Sequence, residues 1–303
     1  MAERLFLFFI LIGLGWFLRR RETLGKAGVR DLIRLIIDVL MPALTFTSTA
    51  LFLTPATAGL ERGIAGPLLG LPLLAVAICL LGAGVGYALL PFTGLKGERA
   101  VTFVFLIAFA NSSFLPIPLS YAFFGDLGVL YVMLYLVGWM FLFWTLGMKM
   151  IQGRPAFRFL LHPQMLAMYL GAGLGLTGTK VPAMLMDVLK LIGASAIPLA
   201  LLCVGGVMAE QKMSVKHDWK PVLLMTAGKM LVVPGLVFWA VRWGGLSSPL
   251  APAAVMQAAM PCMAQAALYV VRFGGDVRLA TSASFITTLA AAITVPLFMN
   301  LLK

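Results

Sequence analysis

Phe109-Ala110-Asn111-Ser112-Ser113-Phe114-Leu115-Pro116-Ile117-Pro118 is the stretch on which the fold turns. It sits within a long apolar run, yet two prolines stand two residues apart. Each removes a backbone donor, and its ring clashes with the preceding turn, so no regular helix runs through. Polar Asn111, Ser112 and Ser113 come immediately before the break. A second interrupted run reads Gln257-Ala258-Ala259-Met260-Pro261-Cys262-Met263-Ala264-Gln265. Phe124-Gly125-Asp126 closes the first run and Phe273-Gly274-Gly275-Asp276 closes the second. Counting back fifteen residues from Asp126 and from Asp276 reaches Asn111 and Pro261, so the two breaks occupy equivalent places.

The composition around these stretches says what kind of run is being broken. Hydrophobic residues make up 61% of the 303-residue chain and charged residues 11%, with a mean hydropathy of +1.01. Soluble domains carry roughly 25% charge, so this chain has too little to cover a watery surface. Backbone groups in lipid must be satisfied internally, which leaves helices or closed barrels. The apolar runs are continuous and lack the alternation of barrel strands. About 20 apolar residues make one spanning helix. The polar breaks place ten spans near 4–20, 31–52, 66–90, 99–124, 128–149, 163–179, 184–209, 220–242, 250–272 and 277–301.

The formal net charge of +12 has two readings. A nucleic-acid binder needs a clustered basic face on a soluble fold, whereas a membrane protein concentrates cations in its cytoplasmic loops. Loops after the odd-numbered spans hold Arg19, Arg20, Arg21, Lys26, Arg30, Arg34, Lys96, Arg99, Lys149, Arg154, Arg158, Lys212, Lys216, Lys220, Arg272 and Arg278, sixteen of the 23 basic residues. The other side holds Arg4, Arg62, Lys180, Lys190, Arg242 and Lys303. The bias excludes nucleic-acid binding and places both termini outside the cytoplasm. The apolar stretch Leu5 to Leu18 is followed, not preceded, by its basic cluster, unlike a secretory leader. Cys79, Cys203 and Cys262 fall within spans without paired or metal-ligand spacing. His162 and His217 stand alone in loops, so no metal site or histidine-based triad is expected.

The matched breaks belong to a wider internal similarity. Gly13-Leu14-Gly15 resembles Gly171 to Gly175, and Met41-Pro42-Ala43-Leu44 resembles Ile197-Pro198-Leu199-Ala200 at an offset of 156. These matches run in one order and divide the chain into five-helix halves, 1–155 and 156–303. Five is odd, so the second half enters the membrane in the opposite sense. The expected fold is therefore an all-α integral membrane protein of ten transmembrane helices in two inverted five-helix repeats. That plan recurs in secondary transporters, whose binding sites lie at interrupted helices in matching positions.

Interrupted helices suit an anion. Half-helix N-termini present free N–H groups, while unwound carbonyls can hold a cation. Amide and hydroxyl side chains add partners without the cost of burying a full charge. The candidate substrate-binding residues are Asn111, Ser112, Ser113, Pro116, Pro118, Gln257, Pro261, Cys262 and Gln265. The bland alternative is a pair of proline kinks whose polar neighbours satisfy freed backbone groups. Two charges inside spans add candidates for charge sensing: Lys229, five residues before Pro234, and Asp38, four before Pro42. Their alternative is to reach the interface, as long cationic side chains do.

As a set, these motifs resemble the auxin efflux carrier family of membrane permeases. Gly13-Leu14-Gly15 with Arg19-Arg20-Arg21 is similar to the family's first helix and basic turn. Leu40-Met41-Pro42-Ala43-Leu44 resembles its second-helix motif, and Asn111 to Leu119 its Asn-Thr-Gly-Phe-x-Gly-x-Pro-Leu segment. Ala196-Ile197-Pro198-Leu199-Ala200-Leu201 and Gln257-Ala258-Ala259-Met260-Pro261 match later motifs. Pro116 replaces a usual glycine, and Gln265 replaces a frequent asparagine. The resemblance implies a fold like that of bile-acid sodium symporters, with the broken fourth and ninth helices crossing. It implies a scaffold from 1–60 and 160–212 and a mobile transport domain from 64–150 and 218–303, sliding as an elevator. It further implies homodimers formed through the scaffold.

The function expected is secondary transport of a small organic anion, a carboxylate or auxin-like weak acid, across a plasma or bacterial inner membrane. No cofactor is expected beyond Na+ or H+ as coupling ion. The alternatives are a sodium-coupled symporter of a larger amphipathic anion of bile-acid type, and a membrane receptor that binds without transport. No spaced acid, base or metal set supports an enzyme.

Overall fold

A computed structural model describes residues 2–52, 65–155, 161–210, 215–246, 250–263, 266, 269–270 and 275–302. Among them every regular element is helical, and the single β contact is an isolated antiparallel bridge between Ala110 and Cys262. Six helices are continuous and apolar enough to cross a bilayer: Lys26–Leu51, Gly70–Phe92, Asp126–Gln152, Ala183–Ala209, Trp219–Trp243 and Val277–Leu301. Four of the ten expected spans fall outside this set. They are the first, the two broken ones, and the sixth, a helix of only 15 residues. At 1.5 Å per residue that sixth helix is about 22 Å long, short of a hydrocarbon core of about 30 Å.

The chain packs as two compact units. The first comprises Met1–Leu69, Ser113–Leu134 and Arg158–Glu210. It contains α1 (Ala2–Arg20), α2 (Lys26–Leu35), α3 (Met41–Phe52), α6 (Pro116–Phe124), the first turns of α7 (Asp126–Leu142), α9 (Pro163–Thr177), α10 (Ala183–Ala194) and α11 (Ala196–Glu210). Apolar burial drives little association between helices in lipid, so close backbone approach at small residues takes its place. Two approaches dominate. A Cβ on Gly15 would collide with the Leu202 backbone, which pins α1 to α11. A Cβ on Gly171 would collide with Thr49 and with the Phe46 backbone, which pins α9 to α3. Adding 156 to Gly15 gives Gly171, and subtracting 156 from Leu202 gives Phe46.

The second unit comprises Gly70–Ser112, Tyr135–Phe157 and Gln211–Lys303. It holds α4 (Ala65–Leu89) from Gly70 onward, α5 (Gly97–Ala108), the rest of α7, α8 (Met148–Gln152), α12 (Val215–Ala227), α13 (Val233–Trp243), α14 (Leu250–Ala258) and α15 (Val277–Leu301). Its core is aromatic where α5 meets α7. Trp139 stacks on Phe143 at 4.8 Å, and Phe109 meets both rings edge-on at 6.1 and 5.5 Å. At one end Asp276 accepts from the backbone N–H groups of Arg278 and Leu279, capping α15. Its other carboxylate oxygen accepts from Arg99 Nε at 2.6 Å. Its own N–H donates to Thr102 Oγ1.

Two helices widen into a π turn just ahead of a proline. Ile36–Leu40 precedes Pro42, and Gly228–Val232 precedes Pro234. A proline ring cannot sit against the carbonyl four residues back, and one extra residue per turn moves that carbonyl aside. Both intramembrane charges, Asp38 and Lys229, occupy these wide turns.

Candidate functional site

The second unit joins the two interrupted runs. Helix α5 ends at Ala108, and Phe109 turns extended at φ −107°, ψ 104°. Helix α14 ends at Ala258, and residues 260–263 are unwound. The two stretches lie antiparallel: the Asn111 N–H donates to the Pro261 carbonyl at 2.8 Å, beside the bridge between Ala110 and Cys262. Asn111 and Pro261 are the very pair that share a distance of fifteen residues from Asp126 and Asp276. Proline cannot return a hydrogen bond, so the pairing is one-sided at its centre.

This meeting point is enclosed. Asn111, Ser112, Pro261 and Cys262 are all buried. The Ser112 hydroxyl approaches the Ala110 carbonyl at 3.4 Å. Two residues of α15 fasten the unwound run: Thr287 Oγ1 accepts from the Cys262 N–H at 3.1 Å, and Ser284 Oγ donates to the Met263 carbonyl at 3.0 Å. Gln257, in the last turn of α14, is 1% exposed, and neither its amide oxygen nor its amide nitrogen has a hydrogen-bond partner. An unmade bond to a buried polar atom costs about 1–3 kcal/mol, so this amide is an expensive group to keep. The indole nitrogen of Trp139 is a further buried donor without a partner, and its ring lies against Phe109 at the break.

Lys229 belongs to the same unit. It is 1% exposed and is the one charged residue among the buried described residues. Neither of the ion pairs formed among the described residues, Arg34–Asp31 and Arg99–Asp276, involves it.

The other sequence candidates fall elsewhere. Ser113, Pro116 and Pro118 belong to the first unit. There Pro116 starts α6 at a position where its missing N–H is harmless, and the Ser113 carbonyl accepts from the Ile117 N–H at 3.1 Å. Asp38 is also in the first unit and is exposed, near His162. Gln265 lies outside the described residues.

Sequence reading missed Trp139, Ser284 and Thr287. The last two were legible as a polar stripe, Ser284, Thr287 and Thr288, at helical spacing in an apolar span. It also missed a cavity of about 530 Å³ in the first unit, lined by Thr47, Ser48, Tyr121, Asp126, Lys190 and Pro198. The run Thr45-Phe46-Thr47-Ser48-Thr49 is the signal for it, being unusually hydroxyl-rich for a span.

Comparison with known proteins agrees with the kind of molecule described. A family profile described as membrane transport protein matches residues 1–158 and 156–299. A curated relative from Methanothermobacter thermautotrophicus, named "Uncharacterized transporter", is 24% identical over 298 residues, covering 95% of this chain and 94% of its own length. With the profile spanning nearly every residue and six helices able to cross a bilayer, the chain is a multi-pass membrane protein that belongs to the membrane transport protein family, the auxin efflux carrier family its motifs resemble.

Proposed function

We propose that this protein is a secondary active transporter of small organic anions, a carboxylate or an auxin-like weak acid. Its site is the buried meeting of the two helix breaks. The observation that carries this reading is the hydrogen bond from Asn111 to Pro261 at repeat-equivalent positions, with the unpaired amide of Gln257 one turn upstream. A neutral amide and an indole N–H without partners in the protein are donors that can receive a carboxylate.

Architecture supports the same reading. The close approaches Gly15–Leu202 and Gly171–Phe46 are exchanged by one offset of 156, as an inverted repeat demands. Chain segments 1–69 and 158–210 pack together, and so do 70–112 and 211–303. That division supports a scaffold drawn from 1–60 and 160–212 and a mobile body drawn from 64–150 and 218–303, moving as an elevator, in all but 113–134, which packs with the first unit. The ten-span count, with both termini outside the cytoplasm, belongs to this proposal.

The test is flux. Purified protein in liposomes is loaded against a panel of carboxylates from acetate to citrate, with indole-3-acetate included. Uptake by the wild type that Asn111→Ala abolishes supports the reading. A ligand at a hundredfold excess over its dissociation constant adds about 2.7 kcal/mol to folded stability, so thermal unfolding checks binding independently. Binding without flux would make the protein a receptor. Neither binding nor flux with any anion would overturn the proposal.

A further inference from the structure

One hydroxyl of α3 behaves unlike its neighbours. Thr45, Thr47 and Thr49 each donate back to the carbonyl four residues earlier, at 2.8, 3.0 and 2.8 Å. Ser48 stands among them, is 6% exposed, and forms no side-chain hydrogen bond among the described residues. A buried hydroxyl that leaves this carbonyl alone has its donor free for another acceptor. Ser48 lines the cavity of about 530 Å³ in the first unit. Small-molecule sites have volumes of about 300–1,000 Å³ and apolar walls carrying a few polar groups. This cavity fits both terms, with Leu44, Leu51 and Ile197 as apolar wall.

Two opposite charges line the same cavity. Asp126 opens α7, and Lys190 lies one turn before the end of α10. They do not pair with each other: the ion pairs among the described residues are Arg34–Asp31 and Arg99–Asp276. The repeat shows what Asp126 lacks. Its counterpart Asp276 is held by Arg99 at the carboxylate and by Thr102 at the backbone N–H. Adding the offset of 150 to those two partners gives Pro249 and Pro252, which carry neither a charge nor a hydroxyl. An aspartate in a first turn also favours the helix dipole, which accounts for the carboxylate but not for the unpaired lysine on the same cavity.

We infer that this cavity is a second binding site, for a zwitterion with an apolar tail: an ammonium group against Asp126, an acid group against Lys190 and the Ser48 hydroxyl, and the tail along Leu44 and Leu51. A simple anion drawn to Lys190 meets the like charge of Asp126, and a simple cation meets Lys190, so the pair of charges selects against each. Two sources carry the required chemistry, a free apolar α-amino acid and the headgroup of phosphatidylethanolamine. The site lies wholly in the first unit and does not depend on the crossing in the second.

The experiment measures thermal unfolding of the purified full-length protein against rising concentrations of leucine and of dihexanoyl phosphatidylethanolamine. Two half-ligands serve as controls: 4-methylpentanoate, which lacks the ammonium, and 3-methylbutylamine, which lacks the acid. Wild type, Lys190→Gln, Asp126→Asn, Ser48→Ala and Asn111→Ala are compared. At least one zwitterion is expected to raise the melting temperature. Lys190→Gln and Asp126→Asn are each expected to need about tenfold or more of that ligand for the same shift, Ser48→Ala to weaken it less, and Asn111→Ala to leave it unchanged. Lys190 makes no ion pair or hydrogen bond among the described residues, so its substitution keeps the fold, and Asp126→Asn keeps the shape at the start of α7. Leucine acting alone identifies a free amino acid, and the phospholipid acting alone identifies a lipid headgroup. No shift with either zwitterion overturns the inference. So does a shift that both charge variants keep, or a Lys190-dependent shift from 4-methylpentanoate as large as leucine's. A zwitterion shift lost only in Asn111→Ala would move the ligand to the crossing and overturn it too. Failure of the carboxylate panel at the crossing leaves this site standing.

Discussion

Gln257→Met separates a binding amide from a structural one. The side chain is 1% exposed, and both polar atoms lack partners. Each orphan costs about 1–3 kcal/mol, and a swap to an apolar side chain of similar volume costs under about 1.5 kcal/mol in packing. The balance is a gain of about 2 kcal/mol in the ligand-free protein. For a chain of this size roughly 2 °C of melting temperature accompanies each kcal/mol, so the variant is expected to melt about 4 °C higher. The assay is intrinsic fluorescence during heating in detergent, with and without the carboxylate that best stabilises the wild type. The same variant is expected to lose that ligand's shift, since it keeps no donor at the position. This is the exchange of stability for function usual at binding sites. A Gln257→Met protein that melts lower than wild type, or one that keeps the full ligand shift, refutes the reasoning.

Other perturbations test the frame around the site. Gly15→Ala and Gly171→Ala each drive a methyl into a facing backbone and are expected to cost about 1–3 kcal/mol. Gly13→Ala meets nothing within 4 Å and is expected to gain about 0.5–1 kcal/mol; equal melting of Gly13→Ala and Gly15→Ala would sink this account of the packing. Asp276→Ala removes both the cap of α15 and the partner of Arg99, an expected loss of about 2 kcal/mol, while Asp276→Asn keeps an acceptor and is expected to lose about half as much. His162 caps α9, its Nδ1 accepting from the Gln164 N–H. Burial holds its pKa below the ordinary 6.5, with Asp38 opposing. A depressed folded value means the unfolded chain binds the proton more readily, so stability is fully present above about pH 6.5 and is lost as pH falls through the folded value. Stability measured from pH 7.5 to 5 is expected to fall less steeply in His162→Gln, and an identical slope in both proteins would refute the assignment.

Much of the site was legible because proline speaks locally. Pro116 and Pro118, two residues apart, and Pro261 each stand next to a place where a span is interrupted, so both breaks could be located without any knowledge of packing, although Pro72, Pro221 and Pro296 stand inside helices. The count from Asp126 and Asp276 then paired Asn111 with Pro261, the two residues that share a hydrogen bond. Trp139 was not legible, because a tryptophan in a span is ordinarily core or interface, and only burial without a partner marks it out. The cavity beside Lys190 and Asp126 escaped for the same reason: it is a property of several helices at once.

Composition, loop charge and the order of the Gly and Pro motifs determined that this chain enters a membrane as helices, that two of its spans are interrupted, and where. Those are consequences of solvent and of backbone sterics, which act on each segment alone. Tertiary structure decided which buried groups are satisfied. It gave the Cys262 N–H to Thr287, left Gln257 without a partner, and buried Lys229. Hydrogen bonding and charge compensation depend on what comes within a few ångströms across long stretches of chain, and one-dimensional spacing does not record that distance.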